Sequence, residues 1–398
     1  MPQFRTLDQL DVAGKRVLLR ADLNVPVKDG QVTDATRIER LAPTIEALIA
    51  KGARIVVMSH FGRPKGYDPT QSLSILVEPL SRAIGGRPVH FAEDCIGDDA
   101  EQVVAALKPG EVALLENLRF HPGEEANDPE FAAQLAALGD VYVDDAFSAA
   151  HRAHASIEAL AHLLPAAAGR NMQAELEALG AAFDKPRHPV MGIVGGAKVS
   201  TKLDLLGNLT RKVDLLAIGG AMANTFLFAK GRPVGRSLCE PDLAEVARFI
   251  LGEAEEHGCD IILPEDAVTA ETLEPGVLTR TVGVHAVPMN AMILDIGPDT
   301  VARICRALDN ARTLVWNGPV GAFETPPFDR ATLAVARKVA ELTREGKLMS
   351  VAGGGDTVAA LAAAGVSDEL TYVSTAGGAF LEWLEGRELP GVKALAIS

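Results

Sequence analysis

Three observations predict an α/β protein built on doubly wound parallel sheets. Short β-branched runs alternate with helical patterns along nearly the whole chain, and several of those runs are apolar throughout. The composition is rich in Ala, Val, Leu and Gly, with only 5% aromatic residues. Runs that lack polar alternation suit strands covered on both faces, and strand–helix alternation builds parallel sheets rather than sandwiches.

Taken in chain order, the first half carries strand runs at Arg16–Val25, Arg54–His60, Pro88–Ala92, Glu111–Leu118 and Val141–Ala146. The second half carries Val190–Val194, Leu215–Gly219, Asp260–Leu263, Ala291–Asp295, Thr313–Trp316, Leu348–Ala352 and Leu370–Ser374. Helical patterns between them include Thr33–Ala50, Leu243–His257 and Arg330–Arg344. So many strands exceed one comfortable twisted sheet, and 398 residues at roughly 150 per domain suit two or three domains. The expected division is a domain over residues 1–171, a connecting hinge helix over 172–184 and a second domain over 185–385. Lys185-Pro186-Arg187-His188-Pro189 ends the connector, because two prolines stop a helix. The tail, 386–398, contains Leu389-Pro390-Gly391 and reads as extended.

With 38 basic and 53 acidic side chains the formal net charge is −15, which argues against a nucleic-acid binder. Any local cluster of Arg and Lys is then assembled against the overall field. The four cysteines lie far apart and form no C-x-x-C, which excludes a disulfide scaffold and a Cys-rich zinc site and suits a reducing cytosol. No secretory pattern opens the chain, and the uncharged run Leu215–Ala229 falls short of the ~20 residues that span a bilayer. The expectation is a soluble cytoplasmic protein with no membrane or nucleic-acid partner.

Chemistry concentrates at strand ends. Gly195-Gly196-Ala197-Lys198-Val199-Ser200-Thr201-Lys202 leads from a strand into a predicted helix, where unpaired N–H groups favour anions. At i, i+4 spacing Lys198 and Lys202 share a helical face and can converge on one phosphate chain; a tight turn with two surface lysines is the plainer alternative. The P-loop pattern fails at Ala197 and Val199, and no G-x-G-x-x-G occurs, which counts against a dinucleotide dehydrogenase. Gly353-Gly354-Gly355-Asp356-Thr357 forms a second strand-to-helix turn, where Asp356 either caps the helix or holds a nucleotide-borne Mg²⁺. Ser374-Thr375-Ala376-Gly377-Gly378 forms a third.

The first half differs. Arg20-Ala21-Asp22-Leu23-Asn24-Val25-Pro26 ends its first strand, Arg37 lies early in the next helix, and His60-Phe61-Gly62-Arg63-Pro64 follows the second strand. Asn117-Leu118-Arg119-Phe120 and His151-Arg152-Ala153-His154 follow later strands. Arginines repeated at strand ends would form a basic rim for phosphate and carboxylate, although any one of them is equally a solvated surface residue. His151 and His154 lack a third ligand, and Arg152 between them would repel a cation, so no zinc is expected there.

These motifs, with Trp316-Asn317-Gly318-Pro319-Val320-Gly321, stand in the order found in phosphoglycerate kinases, which the chain resembles over essentially its whole length. The resemblance implies two Rossmann-like domains, the N-terminal one for phosphoglycerate and the C-terminal one for ADP or ATP with Mg²⁺, and a tail returning to the N-terminal domain. It implies a triose-phosphate site of Asp22, Leu23, Asn24, Arg37, His60, Phe61, Gly62, Arg63, Arg119 and Arg152. It implies a nucleotide site of Lys202, Asn317, Glu324 at the ribose, Gly353, Gly354, Gly355, Asp356 facing Mg²⁺, and Thr357, with Lys198 beside the phosphates. Arg37 and Lys202 would contact the moving phosphoryl group, supported by N–H donors near Gly377 and Gly378. Thr201, Ser148-Ala149 and Ala376 depart from the usual pattern without removing a charged group. The expected activity is reversible Mg²⁺-dependent transfer between 1,3-bisphosphoglycerate and ADP by a monomer; a catalytically silent nucleotide-binding relative is the alternative.

Overall fold

A computed structural model describes residues 3–397. The chain divides into two compact units, one running to Glu177 and taking up Glu388 onward, the other spanning Ala178–Arg387. In the first, the strands are β1 (Arg16–Arg20), the short ribbon β2 (Val27–Lys28) and β3 (Gln31–Val32), then β4 (Arg54–Met58), β5 (Val89–Phe91), β6 (Val112–Leu114), β7 (Val141–Asp144) and β8 (Ala166–Ala168). Six of them form one parallel sheet in the order β5-β6-β4-β1-β7-β8. Leu18, Leu19, Val56 and Val57 are fully buried, as the absence of polar alternation requires of a sheet covered on both faces.

The second unit holds β9 (Val190–Val194), β10 (Leu215–Ile218), β11 (Asp260–Ile262), β12 (Asp266–Ala270), β13 (Arg280–Gly283), β14 (Met292–Ile296), β15 (Thr313–Asn317), β16 (Met349–Gly353) and β17 (Tyr372–Ser374). Its six-stranded parallel sheet has the order β11-β10-β9-β15-β16-β17. Counted along the chain this is 3-2-1-4-5-6, so the order reverses between β9 and β15. In the first unit it reverses between β1 and β7. Open parallel sheets bind ligands outside the carboxyl ends of the strands at such reversals.

Two features differ from the sequence reading. The run Ala291–Asp295 is not in the parallel sheet: β12, β13 and β14 form a separate antiparallel sheet, β13-β12-β14. The tail is not extended throughout; Pro390–Ala394 is a short helix with Pro at its first position, where a missing N–H costs nothing, and it buries Val392. Its Gly391 N–H donates to Ala150 O at 2.9 Å, and Ile397 N–H to Gln3 O at 2.7 Å, which ties the tail to the first unit. The connecting helix runs Arg170–Phe183 and contains the boundary between the units. Asp145, just past β7, starts it by accepting from the N–H groups of Asn171 at 2.8 Å and Met172 at 3.1 Å.

Candidate active site

In the first unit, the reversal between β1 and β7 gathers the residues that follow both strands. Asp22 accepts a short hydrogen bond from Ser148 Oγ (2.5 Å) and an ion pair from Arg37 Nη1 (2.9 Å). The same Arg37 nitrogen donates to Asn24 O at 2.8 Å, while Asn24 Oδ1 accepts from Gly62 N–H at 3.0 Å. Gly62 O in turn accepts from Arg119 Nη1 at 2.6 Å. Asp22, Asn24, Arg37, Gly62 and Arg119 are therefore one continuous hydrogen-bonded set, although they span about a hundred positions of sequence.

Asn117 locks the turns that carry this set. Its Nδ2 donates to Phe61 O (2.7 Å) and Gln71 O (2.9 Å), and its Oδ1 accepts from the N–H groups of Phe61 (3.2 Å) and Arg119 (3.1 Å). A fully buried Asn that meets this many partners fixes the loop after β4 against the turn after β6. Leu23 and Phe61 are buried, and their polar backbone groups are already paired: Leu23 N–H donates to Ser59 Oγ at 2.9 Å. Those two shape the site rather than present side chains to it. Arg63 is exposed, and among the described residues only its backbone N–H is held, by Gln71 Oε1 at 2.9 Å.

The charge in this region is positive. His60 is pushed well below its ordinary pKa by burial and by Arg20, Arg119 and Arg152, so it is neutral at pH 7. His154 is brought down to about 4 by burial and the same arginines. Burial and Arg152 also depress the Arg119 guanidinium against the pull of Glu125, which lies 3.4 Å from its buried Nε without a hydrogen bond. Clustered cationic charge in a partly buried setting favours an oxyanion. Among the described residues, Asp94, Cys95 and His121 are the one set of ligating atoms close enough to meet at an ion, but His121 Nε2 and Asp94 Oδ1 already pair at 2.6 Å.

In the second unit the reversal lies between β9 and β15, and Lys202 reaches it from the crossover after β9. Its ammonium donates to Gly195 O at 2.5 Å and Asn317 Oδ1 at 2.6 Å. Asn317 Nδ2 donates onward to Gly353 O at 3.0 Å, and Thr357 Oγ accepts from Gly318 N–H at 2.7 Å. The three loops after β9, β15 and β16 are thereby joined. Close approach demands glycine here: Gly220 has φ +66°, and a Cβ on it would lie 2.6 Å from Gly196 O. Burial pushes the Lys202 pKa down to about 8, and Asp356 opposes that shift.

The lysine pair departs from the expected helix. Val199–Thr201 is a 3₁₀ turn and the α-helix begins only at Leu203, so Lys198 and Lys202 do not share an α-helical face. Lys198 is exposed and acts electrostatically on Glu240, which itself accepts from Ser200 N–H at 3.1 Å. Lys202 instead turns inward. Asp356 sits exposed in the first turn of Gly355–Ala364, whose N-cap is Gly354 at φ +98° with no side-chain cap. The capping alternative for Asp356 therefore does not hold. Gly377, at φ +48°, likewise opens the helix Gly378–Leu384 without a side-chain cap.

A cavity of about 380 Å³ adjoins this turn, lined in part by Gly196, Gly220, Leu238, Phe323, Glu324 and Asp356. Its walls are mostly apolar with acidic groups at the margin, which suits a flat ring with a polar, charged extension. The lining residues Leu238 and Phe323 carried no signal in sequence, since an isolated apolar residue in a loop is indistinguishable from core. Arg20 is the other omission. A charged residue ending an apolar strand is the signal that marks it, and it is 1% exposed beneath His60.

Comparison with known proteins follows the same full-length pattern. The family model described as "Phosphoglycerate kinase" matches residues 7–387. The chain is 62% identical to the phosphoglycerate kinase of Rhodospirillum centenum over 393 residues, covering 98% of this chain and 99% of that one. It is also 62% identical to that of Azorhizobium caulinodans over 398 residues, covering 99% and 100%. The solved phosphoglycerate kinase from Coxiella burnetii superposes with a TM-score of 0.92 at 40% identity, covering 99% of each chain. That from Pyrococcus horikoshii OT3 gives 0.82 at 33% identity, covering 99% of this chain and 98% of that one. With two doubly wound units and relatives matched from end to end, this chain belongs to the phosphoglycerate kinase family.

Proposed function

We propose that the chain transfers a phosphoryl group reversibly from the C1 acyl phosphate of 1,3-bisphosphoglycerate to ADP, giving 3-phosphoglycerate and ATP. The observation that carries this reading is the end-to-end family match on a chain that keeps Arg37, Lys202 and Asp356 together. A β-phosphate oxygen of ADP forms the new P–O bond while the bond from phosphorus to the C1 carboxylate oxygen breaks. The attacking oxygen is already ionised near neutral pH and the leaving group is a carboxylate, so no general base is required. Such a reaction asks a protein for in-line positioning and for fixed positive charge.

In this reading the first unit holds the phosphoglycerate. Arg63, Arg119 and Arg152 grip the distal 3-phosphate with guanidinium forks, while Asp22 and Asn24 orient the Arg37 fork and the substrate hydroxyl. The second unit holds the nucleotide, with its ring in the apolar cavity, its ribose at Glu324 and its phosphates at the uncapped glycine turns. Lys202 leaves its carbonyl partners for the phosphates, which relieves the burial of an ammonium among neutral oxygens. Arg37 and Lys202 neutralise charge on the moving group, and N–H groups at Gly377 and Gly378 add fixed donors.

Mg²⁺ is the cofactor this reading requires, and Asp356 fits it. The carboxylate is exposed on the cavity rim and makes no hydrogen bond or ion pair among the described residues. One hard oxygen ligand shared with phosphates is the usual way a protein holds this ion. When bound, Mg²⁺ supplies charge neutralisation across the nucleotide phosphates. No helix among the described residues is long and apolar enough to cross a membrane, and we take the enzyme to act as a cytoplasmic monomer. Coupled detection of ATP formed from 1,3-bisphosphoglycerate and ADP tests the assignment. ADP binding without turnover would instead favour the silent relative.

A further inference from the structure

The geometry points to Arg20 as a positioning residue that fixes His60 as a neutral imidazole with its proton on Nε2, so that the ring offers the phosphoglycerate an uncharged N–H donor. The role of the donor rests on the triose-phosphate reading of the first unit; the protonation state does not. Arg20 ends β1 and is 1% exposed. Its Nε donates to Ser156 Oγ at 2.8 Å, its Nη1 to Ala21 O at 2.5 Å, and its Nη2 lies 3.1 Å from His60 Nδ1. A guanidinium has only donors and does not deprotonate in proteins, so His60 Nδ1 must accept. An imidazole that accepts at Nδ1 cannot be the imidazolium, whose two nitrogens are both donors. The ring is therefore neutral, and its one proton lies on Nε2.

The fork cannot turn away to release the ring. Ser156 Oγ, which receives Arg20 Nε, donates to Glu124 Oε1 at 2.6 Å, and Ser156 N–H donates to Glu124 Oε2 at 2.9 Å. Glu124 is fully buried and lies 3.9 Å from Arg20 Nη2 and 3.9 Å from His154 Nδ1. It is spent on Ser156 and the arginine; the buried Asp144, whose pKa burial raises to about 7, also acts on Arg20, and Glu125 pairs with Arg119 Nε at 3.4 Å. The other charged or titratable groups that act on His60 are Arg119, after β6, and Arg152 and His154, after β7, all cationic or neutral. Among the described residues, no carboxylate lies within ion-pair distance of the ring to recover its second proton. His60 is 7% exposed, and no protein group pairs with its Nε2 among the described residues. A donor left open in a cationic, nearly closed site is suited to an oxyanion, and it binds at constant strength across neutral pH.

The test is a long-range ¹H–¹⁵N correlation spectrum of the enzyme labelled at histidine, with His60→Gln used to assign the signal. The expected result is a single neutral tautomer, Nδ1 bare and Nε2 protonated, unchanged from about pH 5.5 to about pH 8. Addition of 3-phosphoglycerate should shift the Nε2 signal without protonating Nδ1. Arg20→Lys, which keeps the charge but loses the fork, should let His60 titrate closer to its ordinary value of about 6.5 and make phosphoglycerate affinity rise as the pH falls. A wild-type His60 that protonates above about pH 6, or that carries its proton on Nδ1, would overturn the inference. The expected tautomer with no response to 3-phosphoglycerate would overturn the donor role and the triose-phosphate reading, and leave the fixing by Arg20 intact.

Discussion

The Lys202 ammonium donates to Asn317 Oδ1 at 2.6 Å, and that one amide passes the connection on to Gly353 O through its Nδ2 at 3.0 Å. Burial among neutral acceptors leaves the lysine pKa at about 8 rather than near 10.5. A polyphosphate brought beside it favours the charged form and raises the value again. Nucleotide binding should therefore take up protons at about pH 8.5 and take up almost none at about pH 6.5. Calorimetric titrations of ATP in two buffers of different ionisation enthalpy would measure this, and Lys202→Met should abolish it. The sign for stability follows as well. Because the folded-state pKa lies below the unfolded one, the unfolded chain binds more protons between about pH 8 and 10.5, so this lysine's contribution to stability rises with pH across that window.

Asp356 makes no cap on its own helix, so its removal has a clean expectation. Asp356→Asn should weaken Mg²⁺-nucleotide binding by about tenfold or more and leave 3-phosphoglycerate affinity nearly unchanged. Thermal stability should barely move. Equal losses at both substrates, or a large drop in melting temperature, would identify a structural role instead.

The parallel sheets were legible because their strands are apolar on both faces, and runs such as Val190–Val194 admit little else. The three-stranded antiparallel sheet was not, because Asp266–Ala270 and Arg280–Gly283 are mixed in polarity and paired with each other rather than with the main sheet. Ala166–Ala168 is a strand of three alanines, a residue with no β preference, so only its pairing with β7 and the bridge from Ala168 to Thr6 make it one. At the site, strand-end motifs located the arginines and glycine turns. What they could not reveal is linkage at long range: Arg20 meets Ser156 and His60, and Asn117 meets Gln71 and Phe61, through contacts that leave no periodic trace. The 3₁₀ turn at Val199–Thr201 also defeated the i, i+4 argument, since helical spacing places side chains only where the helix is α.

If each unit holds one substrate, phosphoryl transfer requires the two ligands to reach bonding distance, and the helix Arg170–Phe183 is the segment we assign as hinge. Small-angle scattering should give a smaller radius of gyration with 3-phosphoglycerate and Mg²⁺-nucleotide together than with either alone. An unchanged radius in the ternary complex would remove the hinge from the account.

On the proposed reading Arg37 serves the chemistry and Arg63 the binding, and their comparison tests the account most directly. Arg37 is held by Asp22 and Asn24, whereas the Arg63 side chain extends into solvent. The decisive measurement is steady-state kinetics of Arg37→Ala beside Arg63→Ala, with circular dichroism to verify that both remain folded. A donor that strengthens only in the transition state should cost on the order of 10²-fold in kcat, about 3 kcal/mol, with little change in KM for 3-phosphoglycerate. Arg63→Ala should show the reverse, a raised KM with a smaller effect on kcat, and Arg37→Lys should rescue only in part because it lacks the planar fork. An Arg37→Ala enzyme with near-normal kcat and a greatly raised KM would contradict the account and make Arg37 a ground-state anion anchor.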